Sequence, residues 1–275
     1  MISILDFDFM RRALVAASLV GLIAPLIGVF LVQRRLALLG DGMGHVALTG
    51  VGLAFLLGTA PVPTAMVAAV LGAFLIEFIR YRSRTAGDVA LALLFYGGIA
   101  GGVMFASLAP GRASSSLNAY LFGSLSTVAD GDLVALGALC LVVVVVIAVL
   151  GREMFAVSLD PDIAAVQGIR VRFMSTLMAV LAAVVVVVGM RVVGLLLVSA
   201  IMIVPVAAAQ QVTRSFRTTA ILAIVLGLLA SLTGLVGSFY VEVPPGPTIV
   251  LVALFLFGIL ALVAVPMRRR RQVET

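Results

Sequence analysis

The sequence predicts an all-α, polytopic integral membrane protein of eight or nine transmembrane helices, and three observations predict it. First, 63% of the 275 residues are hydrophobic and only 11% are charged, where a soluble domain carries about 25% charge. A soluble core of this length cannot hide so much apolar surface, so lipid must be the solvent for much of it. Second, the apolar residues form long runs, such as 133–150, and ~20 residues at ~1.5 Å rise cross a ~30 Å hydrocarbon core. Third, the runs show no period-2 alternation, which excludes barrel strands.

Nine hydrophobic segments follow in order: 13–32, 43–57, 62–79, 89–108, 133–150, 173–188, 193–209, 220–238 and 249–265. The second is short, and the sixth and seventh are nearly continuous, which keeps eight spans open. Residues 1–275 read as a single transmembrane domain. Within 109–131, residues 117–128 hold too few apolar residues to span and read as a half-helix or re-entrant piece, which needs burial in protein or a cavity wall. Gly97, Gly98, Gly101 and Gly102 on the fourth segment predict close helix packing.

Apart from His45, every basic residue is Arg, and the net charge is +6. This balance reads as topology rather than nucleic-acid binding. With the N-terminus outside, the inner loops hold Arg34, Arg35, Arg80, Arg82, Arg84, Arg152, Arg170, Arg172, Arg214, Arg217 and Arg268 to Arg271. Only Arg11, Arg12, Arg112 and Arg191 remain outside. The positive-inside rule then predicts an external N-terminus and a cytoplasmic C-terminus in the cell (inner or plasma) membrane. Asp6 and Asp8 precede Arg11 and Arg12 without a small-residue cleavage motif, so no removable signal peptide is expected. The single Cys140 excludes an intrachain disulfide and a cysteine-built metal site.

Candidate chemistry is sparse. Asp41 and His45, spaced i, i+4, share one face of a helix one turn apart. A carboxylate and an imidazole so placed can supply two ligands to a divalent ion. Equally, Asp41 can N-cap the second span, with His45 a satisfied polar residue. Two ligands do not close a site, and a second copy of the chain would supply another pair. Glu77 precedes Arg80 by one turn and reads as an end-of-helix ion pair, and Asp88 reads as an N-cap. Glu242, in a proline-stiffened outer loop, is a candidate for attracting an incoming cation. In the inner loop 158–170, Asp160 caps a short helix, Pro161 takes its first position and Gly168 ends it. That helix is either a docking knob or a plain connector. No phosphate-binding loop, HExxH zinc motif or catalytic set of Ser and Asp stands out, so no catalytic residue is assigned. Few ionisable groups lie mid-membrane, which weakens a proton-coupled reading.

The stretch Arg34-Arg35-Leu36-Ala37-Leu38-Leu39-Gly40-Asp41-Gly42-Met43-Gly44-His45 resembles the signature of the zinc/manganese/iron ABC importer permeases, the ABC-3 family. Four further stretches agree in order: 120–125, 160–168, 193–198 with Pro205 and Ala207, and 244–250. The likeness runs from about Val20 to Leu260. It implies a homodimeric permease with the architecture of the vitamin B12 and siderophore importers. A cytoplasmic ABC ATPase dimer would drive it, so the chain itself would not be an enzyme. An extracytoplasmic metal-binding protein would deliver the ion. Asp41 and His45 match the family's intramembrane metal pair. Asp160, Asp162, Ala164 and Gly168 fall in its coupling element. Gly42 and Gly44 replace bulkier residues and are expected to loosen the helix start. The cargo expected is Zn²⁺, then Mn²⁺ or Fe²⁺, with no permanently bound cofactor and no nucleic-acid partner. The alternatives are a permease for a metal chelate, an intramembrane enzyme or a scaffold.

Overall fold

A computed structural model describes residues 7–82, 87–110, 117, 120–123 and 128–272, with the side chains of 87–88 and 266–272 left aside. The chain forms ten helices in these residues. They are α1 (Asp8–Gln33), α2 (Leu39–Leu57), α3 (Pro61–Arg82), α4 (Gly87–Leu108), α5 (Asp130–Leu159), α6 (Pro161–Val166), α7 (Val171–Val193), α8 (Leu195–Val212), α9 (Phe216–Val241) and α10 (Pro245–Gln272). All but α6 are long and apolar enough to cross a membrane, which gives nine such helices among the described residues.

Gly194 decides between eight and nine spans. Its φ of 89° lies in the region that L side chains avoid, and α7 ends there with the Gly194 N–H donating to the Met190 carbonyl. The chain reverses at once, and Val198 packs against Gly189. The nearly continuous sixth and seventh segments are therefore two antiparallel helices.

α1, α2 and α7 are the most buried spans, whereas α3, α4, α5 and α10 turn large apolar side chains outward. Leu71, Phe74 and Phe78 on α3 and Leu141 and Val145 on α5 are among the exposed ones. This is the pattern of a bundle whose outer ring faces lipid. α2 packs against α3, α4, α7 and α8. It runs parallel to α4, and three of the four glycines singled out on that helix make the contact. A Cβ at Gly98 would lie 2.6 Å from the His45 carbonyl carbon, and Gly101 and Gly102 abut Thr49 and Leu48. Thr49 Oγ1 donates to the Gly98 carbonyl at 2.7 Å. Gly97 faces open space instead.

Most boundaries move outward by a few residues, and two of these shifts matter here. α2 begins at Leu39 rather than at 43, and α5 continues to Leu159 rather than stopping at 150. At 30 residues α5 is about 45 Å long, more than the hydrocarbon thickness requires, and its last turn lies beside Gln33 and Arg214 at the ends of α1 and α8. Residues 120–122 are helical. Gly123 then packs against the backbone of Val193 and Gly194. The rest of the half-helix reading lies outside the described residues, as do Arg84, Arg112 and the Asp88 cap.

Candidate functional site

The site is built where α1 passes into α2. α1 ends in a Schellman-type turn: the Leu36 N–H donates to the Leu31 carbonyl at 2.8 Å and the Arg35 N–H to that of Val32 at 3.0 Å. Leu38 is the N-cap of α2, with no side-chain cap bond. Asp41 therefore lies inside the first turn and does not cap the helix, which removes the capping reading. Its negative charge is still favoured by the helix N-terminus.

Asp41 and His45 stand one turn apart with Asp41 Oδ1 3.7 Å from His45 Nε2. This is too long for a hydrogen bond. Two ligands each about 2.1 Å from one ion can stand at most about 4.2 Å apart, so the separation admits a shared cation. The Asp41 side chain is 28% exposed and that of His45 10%. The His45 ring packs edge-on against Phe95, centroids 4.3 Å apart. Its Nδ1 is buried without a hydrogen-bond partner. His45 is thus not the satisfied polar residue of the alternative reading. Nor is the helix start loose: α2 is regular from Leu39, and of the two glycines expected to loosen it Gly44 receives Leu195 while Gly42 meets only Leu91 at 4.0 Å; Gly40 beside them receives Met202.

Asp41, with Ala37 and Leu38, is shared by two recesses. One, of about 390 Å³, is completed by Arg35, Leu36, Leu91, Ala92, Phe95 and Tyr96. The other, of about 570 Å³, runs between α8 and α10 and includes Phe122, Ser199, Gly246 and Pro247. Its walls are apolar apart from Asp41 and Ser199, and the Ser199 hydroxyl already donates to the Leu195 carbonyl. Among the described residues no group of three or more His, Cys, Asp or Glu gathers to hold a metal. One chain therefore presents two ligands and no complete site.

The other assigned residues lie elsewhere. Asp160 Oδ1 accepts from the backbone N–H groups of Asp162 and Ile163, at 2.9 and 3.0 Å. Gly168, at φ 80°, closes the turn that follows α6. Ala164 is buried and anchors α6 to the bundle, whereas Leu159, Ile163 and Val166 are exposed, the last at 90%. The exposed apolar residues escaped the sequence reading, because the outer side of α6, with Ile163 and Val166, shows only once Ala164 is seen to face inward. Glu77 and Arg80 form the expected ion pair. Arg34 lies near both, and burial, then Arg80, lower its pKa, partly offset by Glu77. Glu242 caps α9 in the left-handed region and lines neither recess. Phe95, Tyr96 and Arg35 were also missed as parts of the site, since only the parallel packing of α4 on α2 brings the first two there.

Comparison with known proteins bears on the family and the fold. Residues 6–264 match the ABC 3 transport family. The manganese import system permease protein ScaB of Streptococcus gordonii is 32% identical over 252 residues, covering 92% of this chain and 90% of that one. The manganese transport system membrane protein MntC of Listeria monocytogenes is 30% identical, covering 95% and 92%. A solved structure of PsaBC from Streptococcus pneumoniae in complex with Fab superposes with a TM-score of 0.86 at 30% identity, over 98% of this chain and 97% of that one. An inward-facing putative metal-chelate type ABC transporter shares the fold, with a TM-score of 0.76 at 18% identity. The match over nearly the whole chain, on a bundle of nine candidate spans, makes this chain a multi-pass membrane permease of the ABC 3 transport family.

Proposed function

We propose that the chain is the membrane subunit of a plasma-membrane ABC importer that brings a divalent transition metal into the cytoplasm, with manganese the first candidate. The carrying observation is the Asp41–His45 pair, 3.7 Å apart on α2, with Asp41 bordering two recesses. Carboxylate and imidazole suit Mn²⁺, Fe²⁺ and Zn²⁺ alike. The sequence reading put zinc first, on family frequency. The names of the relatives above move the choice to manganese. A metal chelate is disfavoured, because a pre-ligated ion would not need these two donors.

In this reading two copies of the chain meet so that two Asp41 and two His45 side chains complete one passage. An extracytoplasmic metal-binding protein delivers the ion on the face where α1 begins, and Glu242 adds negative charge there. The ion gives up part of its water in the largely apolar recess between α8 and α10. It is held by groups weak enough to release it. A cytoplasmic ATPase dimer docks on α6 and drives the alternation of access by rigid-body movement of helices. The Arg-rich loops support assigning that ATPase to the face where α1 ends.

The test is ⁵⁴Mn²⁺ uptake by cells expressing the complete transporter, with Zn²⁺ as competitor. Asp41→Ala and His45→Ala reduce uptake to background while the chain still co-purifies with its ATPase. Normal uptake by the double variant overturns the site assignment. Competition by Zn²⁺ at lower concentration than Mn²⁺ returns zinc to first place.

A further inference from the structure

Two residues other than glycine have positive φ among the described residues, Arg35 at 60° and Glu242 at 57°. Both are charged, and both stand just past a long helix at a position that favours glycine. Residues held in sparsely populated backbone conformations cluster where function requires a particular side chain. Arg35 is the more informative of the two, because it borders the recess that contains Asp41. Arg35 and Asp41 are the only charged residues in that lining; the rest is apolar or aromatic. Among the described residues the Arg35 guanidinium forms no ion pair. The turn that follows α1 needs only a residue able to adopt the left-handed conformation, and glycine would do so with less strain. The backbone therefore gives no reason for a long cation here, whereas the recess does.

We propose that Arg35 is the expelling charge of the ion passage: a fixed cation at one mouth of the Asp41/His45 site that weakens ion binding there and speeds release. This rests on the metal-import reading above. Arg35 is exposed at the rim of this recess and Asp41 is partly exposed, so solvent reduces the repulsion between Arg35 and a divalent ion without removing it. A divalent ion at Asp41 is repelled by Arg35, so the site cannot become a trap. With the ion gone, the guanidinium discourages re-entry from its own side. Arg35 is a positioning and release residue, not a ligand.

The experiment measures Mn²⁺ affinity by calorimetry on the detergent-purified complete transporter, in which two copies of the chain meet, and ⁵⁴Mn²⁺ turnover in cells carrying it. Arg35→Gly removes charge and strain together. It binds Mn²⁺ about threefold more tightly and turns over about threefold more slowly, the scale of one solvent-exposed unit charge acting on a nearby divalent ion. It also melts roughly 2 °C higher, since the left-handed turn is relieved. Arg35→Ala shows the same affinity and turnover without the gain in Tm. Arg35→Lys keeps wild-type affinity. A merely structural Arg35 predicts the rise in Tm for glycine with unchanged Kd and turnover, and that result overturns the proposal. Weaker binding in Arg35→Gly also overturns it. Wild-type chain that binds Mn²⁺ no better than Asp41→Ala sinks the metal reading and this inference together. An Asp41-dependent Kd that Arg35→Gly leaves unchanged sinks this inference alone.

Discussion

Gly44 and Leu195 are in contact so close that a Cβ at position 44 would lie 1.8 Å from Leu195 Cδ1. This contact joins the first turns of α2 and α8, and so it sets where Asp41 and His45 stand relative to the recess behind them. Gly44→Ala is expected to destabilise the bundle by about 1–3 kcal/mol, the range for overpacking a filled core. Gly42→Ala, where the nearest atom is 4.0 Å away in Leu91, should be tolerated. Thermal melting in detergent separates the two. Leu195→Ala placed with Gly44→Ala should recover part of the loss. Equal Tm values for the two single variants would show that the glycines are not packing sites.

Asp132 and Arg191 make the second relationship that can be tested. Asp132 Oδ1 stands 2.9 Å from Arg191 Nε. Its other oxygen accepts the Ala129 N–H at 3.1 Å, so one carboxylate both caps α5 and ties it to the end of α7. Arg12 reaches Asp130 on the same end of α5. Because Arg191 is half exposed, the pair contributes about 1 kcal/mol or less. A double-alanine cycle read by Tm should give that coupling, and it should fall between 50 mM and 1 M salt as screening shortens. Tyr120 reports the same cluster. Burial pushes its phenol above the ordinary range, Arg191 pulls it down and Asp132 pushes it up. Arg191→Ala should therefore raise the Tyr120 pKa further and Asp132→Asn should lower it, measured by ultraviolet titration against Tyr120→Phe. Opposite signs would mean that Tyr120 does not sense the pair.

The spans were legible in the sequence because lipid imposes a simple rule: every backbone polar group must be satisfied within its own helix, so length and apolarity suffice. The boundary between α7 and α8 was not. Leu195, Leu196 and Leu197 continue the hydropathy of α7, and only the φ of Gly194 shows the reversal. The Asp41–His45 pair was legible from its i, i+4 spacing and from the surrounding motif. Its environment was not, because Phe95 comes from α4, 50 residues on, and no pattern within α2 announces a partner helix. Glycine was the least well read. Gly40 and Gly44 look like flexibility in a sequence, and in the bundle they accept Met202 and Leu195.

The last prediction separates the fold of α6 from what α6 does. Asp160 holds the helix by accepting two backbone N–H groups, and Ala164 fixes it to the bundle. Asp160→Ala removes the cap and should cost about 1 kcal/mol of local stability. Asp160→Asn keeps an acceptor oxygen and should lose much less. Val166 makes no comparable contribution, being 90% exposed, and Ile163 is 58% exposed. Ile163→Asp and Val166→Asp should therefore leave the stability within about 0.5 kcal/mol of wild type. If α6 is the surface on which the ATPase rests, however, each places a desolvated carboxylate in the interface. Co-purification of the ATPase should then fall at least tenfold for both, while Asp160→Asn retains it. A connector helix gives the other pattern: Val166→Asp and Ile163→Asp bind the ATPase as well as wild type does, and only the stability of the Asp160 variants changes. Because Ile163 and Val166 lie on the outside of a helix pinned from within by Ala164, the two outcomes cannot be confused with misfolding of the bundle.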